Sequence, residues 1–158
     1  FLNNEMDDFS SKPGVPNMFG LLGNEANSIF PEKRMLSSMT PTIVEKNKKL
    51  YMILGSPGGS KIITSVFQTI LNAYEYGMNI QEAVNSARVH HQWMPDEIIF
   101  EPYKFRDSLF SSLESKGYNI NYDESVYMGR VDAIMIDDNG LISSGADPRG
   151  DDSSSYLK

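Results

Sequence analysis

An α+β fold is predicted for this 158-residue chain by three features: two hairpin patterns, a long apolar stripe at helical spacing directly after the first hairpin, and glycines at the transitions. Helices that follow antiparallel strands layer against a sheet, whereas parallel sheets need helical crossovers between successive strands. Residues 10–35 carry Pro13, Gly14, Pro16, Gly20, Gly23 and Pro31 among scattered apolar side chains, which suits an extended, ordered loop over a site. Residues 42–45 and 49–54, rich in apolar and β-branched side chains and parted by Lys46-Asn47-Lys48, read as a hairpin. Ile62, Ile63, Val66, Phe67, Ile70, Leu71 and Tyr74 then recur with a period near 3.6, so residues 61–76 form a helix with one broad buried face, stopped by Gly77. Asn79 opens a second helix with Glu82 three positions on in a capping-box arrangement and Ala83, Val84 and Ala87 inward. Residues 98–101 read as a strand, 105–116 as a helix ended by Gly117, and 131–136 with 141–144 as a hairpin across Asn139-Gly140.

Composition bounds the function. The chain supports one core and is too short for two independent ones, so residues 1–158 are expected to form a single domain. A net charge of −7, from 14 basic and 21 acidic residues, argues against a nucleic-acid partner, because neutralising phosphates needs clustered Lys and Arg. With no cysteine there is neither a disulfide framework nor a thiolate zinc site. No apolar run approaches the roughly 18 residues a membrane span requires, so no membrane segment is expected in this chain.

The most informative segment is Gly55-Ser56-Pro57-Gly58-Gly59-Ser60, between a strand and a helix. A glycine-rich turn there leaves backbone N–H groups unpaired at the positive end of a helix dipole, where a phosphate, a carboxylate or a developing oxyanion can sit. The phosphate-loop pattern G-x-x-x-x-G-K-[ST] fails, since Lys61 follows Ser60 and precedes Ile62.

Four further blocks accompany this turn in order: Asn3-Asn4-Glu5-Met6-Asp7-Asp8-Phe9, Lys33 through Thr42 with Ser37-Ser38 at its centre, His90-His91-Gln92-Trp93-Met94-Pro95-Asp96-Glu97, and Asp147-Pro148-Arg149. Together the five blocks resemble the small subunit of gamma-glutamyltransferases (gamma-glutamyltranspeptidases) along essentially the whole chain. The resemblance implies part of the four-layer αββα fold of N-terminal-nucleophile hydrolases, stacked antiparallel sheets flanked by helices. In that family a precursor cuts itself, and the new N-terminal Thr of the small subunit attacks the gamma-glutamyl amide with its own α-amine as base. That Thr falls upstream of Phe1, so the resemblance makes this chain the C-terminal portion of a catalytic subunit, inactive alone. Its implied partners are the large subunit, the remainder of the small subunit and a small gamma-glutamyl substrate; no cofactor is implied. The implied location is periplasmic or extracellular.

Residue by residue, the resemblance puts acceptors for the substrate's α-ammonium at Asp8, assisted by Glu5, and hydroxyl donors for its α-carboxylate at Ser37 and Ser38, helped by an arginine of the large subunit. Gly58 and Gly59 would offer their N–H groups as the oxyanion hole, where glycine permits a close backbone approach. Other tempting residues read as structural. Adjacent His90 and His91 on an extended segment point to opposite sides, and Asp137-Asp138-Asn139-Gly140 misses the calcium-loop spacing, so no metal is assigned. Arg149 is expected to tie the C-terminal segment to the core through an ion pair, and Trp93 to anchor the core or a subunit interface. Two readings stay open: part of an active gamma-glutamyl transferase or hydrolase, favoured because every implied position in the chain carries suitable chemistry, or a noncatalytic binding homologue without a competent nucleophile.

Overall fold

The computed structural model describes residues 5–35, 39–102, 104–123 and 128–156, and the chain divides into two compact units, 1–38 and 39–158. The first has no strand or α-helix among its described residues. It holds single-turn 3-10 helices at Glu5–Asp8 and Glu25–Asn27. Backbone bonds tie the loop between them together, from Ser10 N to Asn27 O at 2.8 Å, Gly14 N to Gly23 O at 2.9 Å and Asn17 N to Leu21 O at 2.9 Å. A Cβ at Gly23 would lie 1.9 Å from Ser10 Oγ, so glycine is what lets the two limbs of the loop close.

In the second unit β1 (Thr42–Lys46) and β2 (Lys49–Gly55) form the expected hairpin. Asn47 and Lys48 both take left-handed backbone, φ 53° and 62°, the geometry whose twist matches that of a two-residue hairpin. Helix α1 (Ile62–Tyr74) and helix α2 (Ile80–Asn85) follow. Asn79 caps α2 as expected: its side chain accepts from Glu82 N at 2.9 Å and Glu82 Oε2 accepts from Asn79 N at 3.0 Å. Then come β3 (Val89–Trp93), β4 (Asp96–Phe100), α3 (Asp107–Glu114), β5 (Ile120–Asn121), β6 (Asp132–Ile136) and β7 (Ile142–Gly145).

Strands β1-β2-β6-β7 make a wholly antiparallel sheet in that order. Strand alternation sends Met52, Leu54 and Ala133 to one face, where they pack with Val131 and with Val66, Ala73, Ile80, Ala83 and Val84 of the two helices. Gly145 is required at this joint because a Cβ there would lie 2.8 Å from Ile80 O. The second sheet, β3-β4-β5, departs from the antiparallel expectation. Its β4 and β5 run parallel, because α3 carries the chain back before the short β5 is laid down.

Three readings need correction. The first helix spans 62–74, preceded by a 3-10 turn at Gly59–Lys61, and the third is shorter than 105–116. The buried stripe of α1 is Ile62, Ser65, Val66, Thr69 and Ala73, while Ile63, Phe67 and Tyr74 are exposed in this chain. Ser65 and Thr69 are tolerated inside because their hydroxyls donate to Met128 O and Ser65 O. Of the two roles expected for Trp93, its 79% exposure excludes the core and leaves the subunit interface.

Candidate active site

The first hairpin positions the glycine turn. Strand β2 ends at Gly55, whose Cα is pressed against the preceding segment: a Cβ there would lie 3.1 Å from Met39 O, which also accepts from Ser56 N at 3.0 Å. Gly58 and Gly59 both have positive φ, 141° and 60°, so the chain reverses through backbone that L side chains rarely adopt. Lys61 N donates to Gly58 O at 3.3 Å and the turn runs on into α1. The N–H groups of Gly58 and Gly59 have no hydrogen-bond acceptor among the described residues. Gly58 caps and Gly59 opens the 3-10 turn that runs directly into the 13-residue α1, so their N–H groups lie at the end of the helical run where the dipole favours negative charge.

A second layer braces the turn. Buried Ser56 donates from Oγ to Pro57 O at 2.7 Å and accepts from Arg130 N at 3.0 Å. Arg130 N also reaches Pro57 O at 3.4 Å. Gly129, at φ 90°, allows this approach, since a Cβ would fall 2.8 Å from Ser56 Oγ and 2.9 Å from Pro57 O.

Gly58 and Gly59 are thus brought together on one turn. Glu5 and Asp8 share the opening 3-10 turn of the first unit, where Asp8 is half-buried and Asn27 Nδ2 donates to its backbone carbonyl at 2.7 Å. Ser37 and Ser38 lie outside the described residues.

Behind the brace sits a buried ion cluster of which sequence reasoning found only one edge. The expected ion pair of Arg149 exists: its guanidinium donates to both carboxylate oxygens of Glu101, at 2.7 Å through Nη2, and to Asp147 Oδ1 at 3.0 Å. Unforeseen was Arg88, 2% exposed, which donates to Asp147 Oδ2 at 2.8 Å, Val84 O at 3.0 Å and Gly129 O at 3.2 Å. Fully buried Asp147 also accepts from Val131 N and Arg149 N, at 2.6 and 3.0 Å. Burial alone would push this carboxyl up; the two amide bonds and the neighbouring guanidiniums outweigh it and hold it below the usual carboxylate range. Arg88 is drawn down, first by burial and then by Arg149, against the pull of Asp147. Only an arginine just before an apolar strand hinted at this role.

The histidines keep apart, as the alternation of an extended segment requires. His90 is buried between Thr64 Oγ1 and Gln92 Oε1, 2.8 Å from each, and burial lowers its pKa. His91 faces outward to Asp96 at 2.9 Å. Asp137 Oδ1 takes the N–H groups of Asn139 and Leu141, both at 2.8 Å, so this carboxylate caps the β6-β7 turn. Among the described residues no group of three or more His, Cys, Asp or Glu is arranged to hold a metal ion, and no helix is long and apolar enough to cross a membrane.

Comparison with known proteins adds family and fold. The family model for gamma-glutamyltranspeptidase matches residues 1–157. A glutathione hydrolase proenzyme of Escherichia coli is 50% identical over 151 residues, 96% of this chain and 26% of that protein. One from a Pseudomonas species is 54% identical over 149 residues, 94% of this chain and 25% of that protein. The chain therefore spans about a quarter of the length of these curated relatives. Among solved structures, a gamma-glutamyltranspeptidase from Pseudomonas nitroreducens complexed with L-DON superposes with a TM-score of 0.85 at 42% identity, covering 100% of this chain and 82% of that one.

Proposed function

Because this chain belongs to the gamma-glutamyltranspeptidase family, we infer that it is part of an enzyme that cleaves gamma-glutamyl amides such as glutathione through a threonyl acyl-enzyme, the nucleophilic Thr lying upstream of Phe1. The observation that carries this reading is the turn at Gly58 and Gly59. Two left-handed glycines leading into a helix present N–H groups without acceptors among the described residues, suited to the oxygen that becomes negative when a nucleophile adds to an amide carbonyl. Donors already aligned in the resting protein need no reorganisation as that charge develops, so they favour the transition state over the neutral substrate.

In this reading Asp8, assisted by Glu5, takes the substrate's α-ammonium, and Ser37 and Ser38 donate to its α-carboxylate. No cofactor enters the chemistry. The remaining partner is the rest of the proenzyme, including a large subunit. Exposed apolar surface supports this: Ile43, Ile53 and Ile134 stand in direct register across three adjacent strands, 70%, 42% and 42% exposed, and Ile63 and Phe67 stand exposed one turn apart on α1. A row of this kind on a sheet face is covered in a finished fold.

The test is kinetic. The complete autoprocessed protein is expected to release p-nitroaniline from a gamma-glutamyl anilide, and correctly folded, processed protein without this activity would replace the reading with that of a noncatalytic homologue. In the active protein Asp8→Ala is expected to raise KM by at least tenfold, since the ammonium loses a charged partner worth about 2 kcal/mol or more. Unchanged KM and kcat would remove Asp8 from the site.

A further inference from the structure

The N–H of a trans peptide points opposite to its own carbonyl, so whatever fixes the carbonyl also aims the N–H. The Pro57–Gly58 peptide is trans, and among the described residues only its carbonyl end has partners. Its carbonyl is held from one side by Ser56 Oγ at 2.7 Å and by Arg130 N at 3.4 Å. Its N–H is the Gly58 donor of the candidate oxyanion hole.

From this geometry, and resting on the reading above, we propose that Ser56, locked by the backbone of Gly129 and Arg130, is the positioning residue that aims and polarises the Gly58 N–H. Ser56 is well suited to the task. Its hydroxyl donates its single proton to Pro57 O and takes the Arg130 N–H on a lone pair, so both of its capacities are committed and its rotamer is fixed. Hydrogen bonds accepted by the carbonyl draw electron density from the amide and strengthen its N–H as a donor, which matters most when a full negative charge faces it. The Gly58–Gly59 peptide follows the same rule by another route, its carbonyl accepting from Lys61 N at 3.3 Å.

The lock has a rigid back. Arg88 Nη1 donates to Gly129 O at 3.2 Å and Asp147 Oδ2 accepts from Val131 N at 2.6 Å, so the buried ion pair grips the bracing segment on both sides of Arg130. Ser65 of α1 holds the residue before Gly129 by donating to Met128 O. The turn is therefore clamped between its own helix and the entry to β6, with glycine at 129 as the condition for contact.

The experiment compares Ser56→Ala, Ser56→Thr, Gly129→Ala and Gly58→Val in the complete autoprocessed enzyme, reading kcat per titrated active site, KM for a gamma-glutamyl anilide, and Tm. Ser56→Ala is expected to lower kcat about fivefold to tenfold, the worth of one lost hydrogen bond, with KM changed less than twofold. Ser56→Thr, which keeps the hydroxyl, is expected to restore at least half of the parental kcat. Gly129→Ala is expected to lower kcat like Ser56→Ala. Parental kcat in Ser56→Ala overturns the proposal, as does a fall in kcat that Thr does not relieve at parental Tm. If Gly58→Val itself leaves kcat unchanged, the oxyanion reading fails beneath it; if Gly58→Val lowers kcat and Ser56→Ala does not, only the positioning role fails.

Discussion

Asp147→Ala in the complete protein is expected to lose about 3–5 kcal/mol of stability, the cost of breaking a buried ion pair by removing one partner. The size follows from what the carboxylate holds. Asp147 is fully buried and satisfies Arg88, Arg149, Val131 N and Arg149 N at once. Without it Arg88, 2% exposed, keeps only carbonyl acceptors at Val84 and Gly129, while Arg149 retains Glu101. Asp147→Asn keeps the shape and one acceptor oxygen but no charge, and is expected to lose less. The loss should also depend on pH with a definite sign. Because the folded carboxyl titrates below its ordinary value, its contribution is present in full above about pH 5 and disappears as pH falls through the folded pKa, below about 3.8. Parent and Asp147→Asn should therefore differ by a constant amount at neutral pH and converge in acid. Denaturant midpoints and Tm across that range provide the check, and a loss under 1 kcal/mol for Asp147→Ala would show that the cluster contributes little.

Gly58→Val and Gly59→Val are expected to lower kcat about a hundredfold, or on the order of 3 kcal/mol for one misaligned oxyanion donor. Two effects act together. A branched side chain at φ 141° or 60° strains the backbone, and the shift that relieves the strain turns the N–H away from its line of action. Since the donors act chiefly on developing charge, KM should change less than kcat. A turn with a purely structural role behaves otherwise: Tm or subunit assembly falls, while kcat per titrated site stays near the parental value. Measuring both quantities on the same preparations separates the two, and a near-parental kcat per site defeats the oxyanion assignment.

The outcome for the fold shows which forces leave a local signature. The hairpin over 42–55, the capping box at Asn79 and Glu82, and the hairpin of β6 and β7 are written in neighbouring residues, because turn backbone and helix ends are satisfied by side chains within a few positions. Gly58-Gly59 was legible for the same reason. Strand β5 was not: two residues carry no alternation, and they become a strand only because β4 lies beside them. Nor was the true inner face of α1, since Ser65 and Thr69 go inside on the strength of acceptors at Met128 and Ser65 itself, while Ile63 and Phe67 stay outside.

By itself the sequence determined the α+β class, the family resemblance through its five ordered blocks, and the glycine turn with its unpaired donors. Each depends on residue identity at short range or on ordered motifs. Tertiary structure alone decided what aims those donors. Ser56 meets Arg130 across 74 positions, and Arg88 meets Asp147 across 59. A serine beside a proline and an arginine before a strand are unremarkable locally. They acquire their roles when β2, α2 and the entry to β6 enclose them, where the lack of water makes every buried polar atom require a partner and so fixes the geometry of the turn.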